Sequence, residues 1–203
     1  MRILGRADSA NVQKVTWCAC ELGLDYQRED FGGKFAGIRE PDYLALNPNG
    51  LVPTLVEDDL VLWESNTIVR YLAARAGRLI PADARARALV ERWMDWQLSV
   101  VLPPHIPLFV GLVRTPPAQR DWDRINAGRD KTAAAFAILN AALEKTRWVA
   151  GDDFTVADIV LGPFVYRWFE MDIEREDLPH LARWYHQLCE RACFNELVAI
   201  GIA

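Results

Sequence analysis

The spacing of hydrophobic positions changes several times in the first third of the chain, which predicts alternating strands and helices. Residues 2–5 (RILG) are a short apolar run typical of a buried strand, and residues 11–22 repeat apolar side chains every three or four positions, as a helix does. The pattern then predicts a strand in 25–30, a glycine-rich and partly helical connection in 32–46, two strands in 52–65 that turn at Asp58-Asp59, and a helix over 65–76 with Ser65 as N-cap. This order predicts a small mixed sheet covered by helices.

The pattern becomes helical after residue 78 and stays so to the end. Amphipathic segments predict helices over 84–102, 119–146, 155–169 and 179–193, with a break at Pro103-Pro104. Residues 79–83 read as a linker. The sequence therefore predicts an α/β domain over 1–78 and an all-α domain over 84–203.

Composition and charge exclude several classes of function. The net charge is −5 and the 23 basic residues are scattered, which argues against nucleic acid as a partner. No run of about 18 apolar residues is present, so no membrane span is expected. The N-terminus does not resemble a signal peptide. The four cysteines (Cys18, Cys20, Cys189 and Cys193) are therefore expected to be reduced thiols in the cytoplasm.

Two short stretches carry candidate chemistry at helix starts. Ser9 and Asn11 lie at the start of the first helix. This position suits both a side chain that caps the helix and a bound anion. Glu64 and Ser65 open the third predicted helix. Ser65 is an ordinary cap, but a helix N-terminus beside a carboxylate also suits the carboxylate and ammonium of an α-amino acid head group.

The stretch NPNGLVPTL (residues 47–55) raises a similar choice. Asn-Pro and Asn-Gly predict a tight loop, and Pro53 then starts an apolar strand, where proline is tolerated at an edge. An ordinary loop explains this pattern. A cis Val52–Pro53 bond is the more specific reading, although only about 5% of X–Pro bonds are cis.

Together these stretches resemble the glutathione transferase family. Its members carry N-P-x-G-x-V-P-x-L and then E-S-x-x-I-x-x-Y-L, and this chain has NPNGLVPTL followed by ESNTIVRYL. FTVADI (residues 154–159) is similar to the capping box of the family's helical domain and is read as structural. The resemblance extends over the whole chain and is closest to bacterial theta- or nu-like members with a serine or asparagine active site. It implies a thioredoxin-like first domain and an all-helical second domain.

The resemblance also implies a role for each matched residue. Val52, with Pro53 cis, would hold the cysteinyl part of glutathione through its backbone, and Glu64 and Ser65 would hold the γ-glutamyl head. Ser9 or Asn11 would face the sulfur and stabilise it as a thiolate. The family often has a polar residue before Val-Pro to bind the glycyl carboxylate, where this chain has Gly50-Leu51; Lys34 and Asn49 are the possible substitutes.

Further candidates concern the second substrate and the assembly. An apolar cleft between the domains is expected to hold the electrophile, with His105, Phe109 and Val113 as wall residues and Trp168 as a weaker one; all four equally suit a core. Family analogy predicts a homodimer in which Asp95 reaches the partner's site. His186, Cys189 and Cys193 share one face of a single predicted helix, but without a fourth ligand they do not indicate a metal site.

The expected activity is therefore conjugation of glutathione to small, largely apolar electrophiles, as in detoxification, without a metal. A glutathione-dependent isomerase or dehalogenase would need the same first domain. A non-catalytic binding module of this fold is a third reading, against which the intact tripeptide motifs speak. A serine hydrolase is not expected, because no histidine lies near Ser9 in the sequence and no G-x-S-x-G motif surrounds it. Disulfide exchange is not expected either, because residue 9 is not a cysteine and the chain has no C-x-x-C motif.

Overall fold

The first half of the chain folds around a four-stranded mixed sheet in the computed structural model, which describes residues 1–202. The strand order is β2-β1-β3-β4. The strands are β1 (Arg2–Leu4), β2 (Gln27–Glu29), β3 (Thr54–Glu57) and β4 (Leu60–Trp63). β1 pairs with β2 in parallel and with β3 antiparallel, and β4 returns antiparallel beside β3. The predicted mixed sheet is confirmed.

Three α-helices accompany this sheet: α1 (Ala10–Leu22), α2 (Pro41–Leu46) and α3 (Ser65–Ala76), with a 3₁₀ turn at Gly33–Phe35. Ser9 is the N-cap of α1, as predicted. Ser65 is not the cap of α3. Glu64 takes that position with a φ of 69°, and Ser65 is the first helical residue, with its hydroxyl bonded to Asn11.

The second half is built from helices. They are α4 (Ala84–Trp96), α5 (Leu102–Phe109), α6 (Trp122–Leu143), α7 (Val156–Glu170), α8 (Pro179–Cys189) and α9 (Ala192–Leu197). The helix predicted over 179–193 is in fact two helices, since Arg191 leaves the helical conformation and becomes the N-cap of α9. The division of the chain into two domains at residues 79–83 stays a prediction.

The predicted break at Pro103-Pro104 is wrong. The backbone stays helical from Ala84 to Arg114, because five-residue π segments at Gln97–Val101 and Val110–Arg114 flank α5. The prolines stand in the first turn of α5, directly after the first π segment. Leu102 donates to the carbonyl of Gln97, five residues back, and this wider turn accommodates rings that lack an N–H donor.

This continuous helix changes the expectation about membranes. Residues 84–114 form the one helix, among residues 1–202, that is long and apolar enough to cross a bilayer, with a mean hydropathy of 1.4 over its most apolar window. A core helix of a soluble protein can have the same length and apolar composition, so these two properties alone do not indicate a membrane span.

The expectation that all four cysteines are free is also corrected. Cys20 and Cys193 form a disulfide, because α9 packs beside α1 and brings their Cα atoms to 5.9 Å. Cys18 and Cys189 are free. With Cys193 on α9, it no longer shares a helix with His186 and Cys189. Within the described residues, no three His, Cys, Asp or Glu side chains are grouped closely enough to bind a metal ion.

The two halves share one hydrophobic core, and α1 lies at its centre. One side of α1 packs on α3, and the other side packs on α7 and α9. Trp17 of α1 is fully buried, and Gly162 of α7 makes room for it: a Cβ at residue 162 would stand 2.5 Å from the indole ring. The middle of α1 is thereby packed closely against α7 of the helical half.

Candidate active site

A cleft of about 370 Å³ lies between the N-terminus of α1 and the helical half. Its floor on the sheet side includes Ser9 and Asn11, and its opposite wall comes from α5, the π segment after it, and α7. The lining residues are Arg6, Ser9, Ala10, Asn11, Leu51, Leu102, His105, Ile106, Phe109, Val110, Arg114, Phe164 and Arg167. The predicted catalytic turn therefore faces the predicted second-substrate wall.

Ser9 and Asn11 each offer a hydrogen-bond donor to this cleft. Ser9 has the extended backbone of an N-cap, but its hydroxyl makes no capping bond in the described part of the chain. The Oδ1 atom of Asn11 accepts a bond from the Ser65 hydroxyl at 3.3 Å, which leaves the amide NH2 as the donor. Both groups stand at the N-terminus of a 13-residue helix, whose dipole favours an anion.

The loop before β3 lies beside this turn. The Val52–Pro53 bond is cis, as the family resemblance predicts. No hydrogen bond among the described residues uses the backbone N–H or C=O of Val52. Gly5 allows the close approach, because a Cβ there would stand 3.1 Å from the Val52 Cβ and 2.5 Å from a methyl group of Val12.

Glu64 and Ser65 form the neighbouring end of α3. Glu64 is exposed, and within residues 1–202 no side chain caps the first turn of this 12-residue helix, so its N–H groups remain available to an anion. The bond between Ser65 and Asn11 joins this helix end to the first turn of α1. The two helix N-termini that the sequence singled out are thus brought together.

The two substitutes for the glycyl-binding residue are placed less favourably. Lys34 is exposed and stacks its ammonium 5.1 Å from the ring of Phe35. The amide of Asn49 is used in a bond to Asn47 at 3.1 Å. Arg39, which sequence reasoning did not consider, lies directly against Gly50, where a Cβ would stand 2.8 Å from its guanidinium.

The helical wall contains two of the four predicted second-substrate residues. His105 is 1% exposed and stacks on Phe109, and neither of its ring nitrogens has a partner among the described residues. Burial, followed by the charge of Arg167, lowers the pKa of His105 to about 3, so the imidazole is neutral. Val113 does not line the cleft, since it packs against the core, and Trp168 is buried against Phe136.

Three arginines in this cleft were missed by sequence reasoning. Arg6 and Arg114 both approach the carboxylate of Asp8, at 2.7 and 3.6 Å. Arg167 of α7 donates to the backbone carbonyl of Asp8 at 2.7 Å and lies 4.0 Å over the ring of Phe109. Burial, followed by repulsion from Arg114 and Arg6, lowers the pKa of Arg167 to about 9. The expected apolar cleft is therefore lined by three guanidinium groups as well as by apolar side chains, and two of the three lie on the same helical wall as Phe109.

Asp95, predicted to serve a partner subunit, is largely exposed and forms an ion pair with Arg70 of its own chain. Arg70 also lies 3.5 Å from Glu91 on the same surface of α4. The carboxylate of Asp95 therefore has a structural partner within the chain.

Comparison with known proteins agrees with this geometry. The family models for the glutathione S-transferase N-terminal and C-terminal domains match residues 8–75 and 94–192. The chain is 45% identical to glutathione S-transferase GstB of Escherichia coli over 98% of each chain, and 30% identical to glutathione S-transferase F10 of Arabidopsis thaliana over 94% of this chain and 93% of the relative.

A solved structure gives the same result in three dimensions. The theta class glutathione S-transferase from Xanthomonas axonopodis pv. citri, determined with glutathione bound, is 47% identical. It superposes with a TM-score of 0.98 over 100% of this chain and 98% of its own. The whole chain, from the opening turn to the helical half, belongs to the glutathione S-transferase family.

Proposed function

We propose that this transferase binds glutathione along the edge formed by Val52, Glu64 and Ser65 and converts its thiol to a thiolate beside Ser9 and Asn11. The observation that carries the proposal is the pair of unused donors in the cleft, the Ser9 hydroxyl and the Asn11 amide, at the N-terminus of α1. The unused Val52 backbone groups and the uncapped start of α3 supply partners for the rest of the tripeptide.

The thiolate then attacks the electrophilic carbon of a small molecule held between the halves. A free thiol has a pKa near 8.5, so only a few per cent is thiolate at neutral pH. Two hydrogen bonds and a helix N-terminus favour the charged form, and each unit by which they lower the pKa corresponds to about 1.36 kcal/mol. We expect a shift of one to about two units. Phe109, Leu102 and Phe164 would contact the apolar part of the electrophile.

Titration of bound glutathione by its thiolate ultraviolet absorbance tests this proposal. The bound thiol of the native protein should titrate below the free one, and Ser9→Ala and Asn11→Ala should each raise that pKa, the larger rise marking the main donor. Ser99→Ala is the matched control, because Ser99 is exposed on the helix of residues 84–114 and bonds the carbonyl of Asp95. A bound thiol that titrates like free glutathione in the native protein would refute thiolate activation.

The assembly is proposed to be a homodimer in the cytoplasm. Leu89, Trp96 and Val100 recur at intervals of seven and four residues on the helix of residues 84–114, and Leu89 and Val100 are more than a third exposed. A second copy covering this face would account for its apolar character without a bilayer. Light scattering after chromatography should give twice the mass of the chain for the native protein and the single mass for Val100→Glu.

A further inference from the structure

The helical wall of the cleft carries a positive charge whose use the binding of glutathione does not explain. Every residue assigned above to the tripeptide lies in the first 65 residues, on the sheet side. Arg114 and Arg167 belong instead to the opposite wall, and the ring of Phe109 lies near both, 4.0 Å from Arg167 and 5.3 Å from Arg114. No acidic side chain is among the described residues that line the cleft.

Arg167 is the centre of this cationic wall. It is 9% exposed, and a charge so deeply buried is costly unless a partner of opposite sign accompanies it. The Asp8 carboxylate is directed to Arg6 and Arg114, while Arg167 donates a hydrogen bond to the Asp8 backbone carbonyl. Among the described residues, no carboxylate lies within 4 Å of the Arg167 guanidinium.

A second group on the same wall is the His105 imidazole. Both ring nitrogens of His105 are buried and make no hydrogen bond within residues 1–202, although the side chain lines the cleft. Buried polar atoms are nearly always bonded, so an unpaired imidazole in a cleft points to a ligand. The side chains of His105 and Arg167 both lie against the ring of Phe109, which places the two groups beside the same part of the cleft wall.

We infer that the second substrate is an electrophile with a carboxylate, which pairs with Arg167 while its carbon frame contacts Phe109. This inference rests on the proposed function and adds the chemical class of its electrophile. A carboxylate matches a guanidinium in shape and can accept two parallel hydrogen bonds. The neutral His105 ring supplies one further N–H donor.

The reaction follows ordinary aromatic substitution for a suitable probe, 4-chloro-3-nitrobenzoate. The glutathione sulfur, already a thiolate because its proton has gone to solvent, bonds to the ring carbon that carries chlorine. The carbon–chlorine bond breaks, and chloride leaves with its electron pair. The neutral comparison is 4-chloro-3-nitrobenzamide, which reacts at the same carbon and differs only in its charge-bearing group.

The experiment compares these two probes with the native protein. For each, kcat/KM is divided by the rate constant of the uncatalysed reaction with glutathione, which removes the difference in intrinsic reactivity. We expect this enhancement to be at least about tenfold greater for the benzoate, the effect of one charge-assisted hydrogen bond. Equal enhancements, or a preference for the amide, would overturn the inference.

Variants locate the effect. Arg167→Gln should lower the benzoate-to-benzamide ratio at least tenfold. Arg85→Gln removes the same charge from an exposed site on α4, about 25 Å along the helix from Leu102, and should leave the ratio unchanged. If Arg167→Gln lowers both enhancements equally, the guanidinium serves the thiolate or the Asp8 turn, and the inference is wrong.

Substitutions of Ile106, at the edge of the cleft, test the same charge preference if Arg167→Gln disturbs the fold. Ile106 lines the cleft and is 48% exposed, so a charged side chain there is tolerated. Ile106→Glu should lower the benzoate-to-benzamide ratio and Ile106→Lys should raise it; unchanged ratios in both would count against an electrostatic preference.

The results also distinguish a failure of this inference from a failure of the proposed function. Glutathione binding and turnover of both probes without preference leave the proposed function standing, whereas absence of glutathione binding removes both.

Discussion

The buried carboxylate of Asp158 is expected to stabilise the helical half through contacts well beyond its own helix. It begins α7 as part of a capping box with Thr155, accepting the Thr155 N–H at 2.9 Å and its hydroxyl at 3.3 Å. It also accepts the Val149 N–H at 2.9 Å and the indole N–H of Trp184 at 2.8 Å. Asp158→Ala leaves these donors buried without an acceptor.

The magnitude follows from two opposing effects. Three buried N–H groups without partners cost about 1–3 kcal/mol each. The opposing effect is the burial of the charge. Burial raises the pKa of Asp158 to about 6 although four hydrogen bonds favour the ionised form, so keeping the carboxylate ionised near neutral pH lowers the free energy of unfolding by about 3 kcal/mol. The difference lies between about 0 and 6 kcal/mol, and the small cavity left behind adds to it, so we expect a loss of about 3–5 kcal/mol in the free energy of unfolding.

Two further variants separate the tertiary bonds from the cap. Asp158→Asn keeps an oxygen for one pair of donors and should lose about half as much. Thr155→Val removes only the hydroxyl of the cap, worth about 1 kcal/mol. Asp121→Ala is the matched control, because Asp121 caps α6 by accepting the Arg124 N–H at an exposed site. It should cost no more than about 1 kcal/mol.

Urea unfolding followed by tryptophan fluorescence measures these differences in the free energy of unfolding. If Asp158→Ala costs no more than Asp121→Ala, the four bonds do not stabilise the fold beyond an ordinary cap, and the reasoning is refuted.

Two other predictions concern α1. Burial lowers the pKa of Lys14 from its ordinary 10.5 to about 7. Between these two pH values the unfolded chain binds a proton that the folded chain has released, so the free energy of unfolding rises with pH. We expect a rise of about 1 kcal/mol from pH 7 to 8. Lys14→Met should remove this rise in unfolding titrations at the two pH values, and an equal slope in both proteins would contradict it. Gly162→Ala should cost about 1–3 kcal/mol, since the new methyl group overlaps Trp17. Trp17→Phe in the same chain should recover part of that loss in urea unfolding, and a full sum of the two single losses would argue against the clash.

The sequence predicted those parts of the fold that depend on local patterns. Ser9 as a cap, the mixed sheet and the capping box of α7 follow from neighbours within a few residues. The cap of α3 was misplaced by one residue, because Glu64 takes a φ of 69° that the local pattern does not indicate; the Ser65 hydroxyl bonds instead to Asn11, 54 residues away in the chain.

The other errors also arose from contacts that local patterns do not contain. Proline was expected to end the helix at Pro103, but the π segment before it depends on packing within the helical half. The Cys20–Cys193 disulfide joins residues 173 positions apart. The cationic wall of the candidate site was missed for the same reason, because Arg6, Arg114 and Arg167 are isolated in sequence and converge only in the fold.

The central position of α1 has a thermodynamic consequence for the molecule. Family comparison separates the chain into two modules, but one continuous core includes Val12 and Trp17 of α1 together with Leu161 and Leu188 of the helical half. Removing either half would expose one side of α1 and the apolar surface that covers it. The two halves should therefore melt in a single cooperative transition, and the opening turn with Ser9 acquires its shape only when the entire chain has folded.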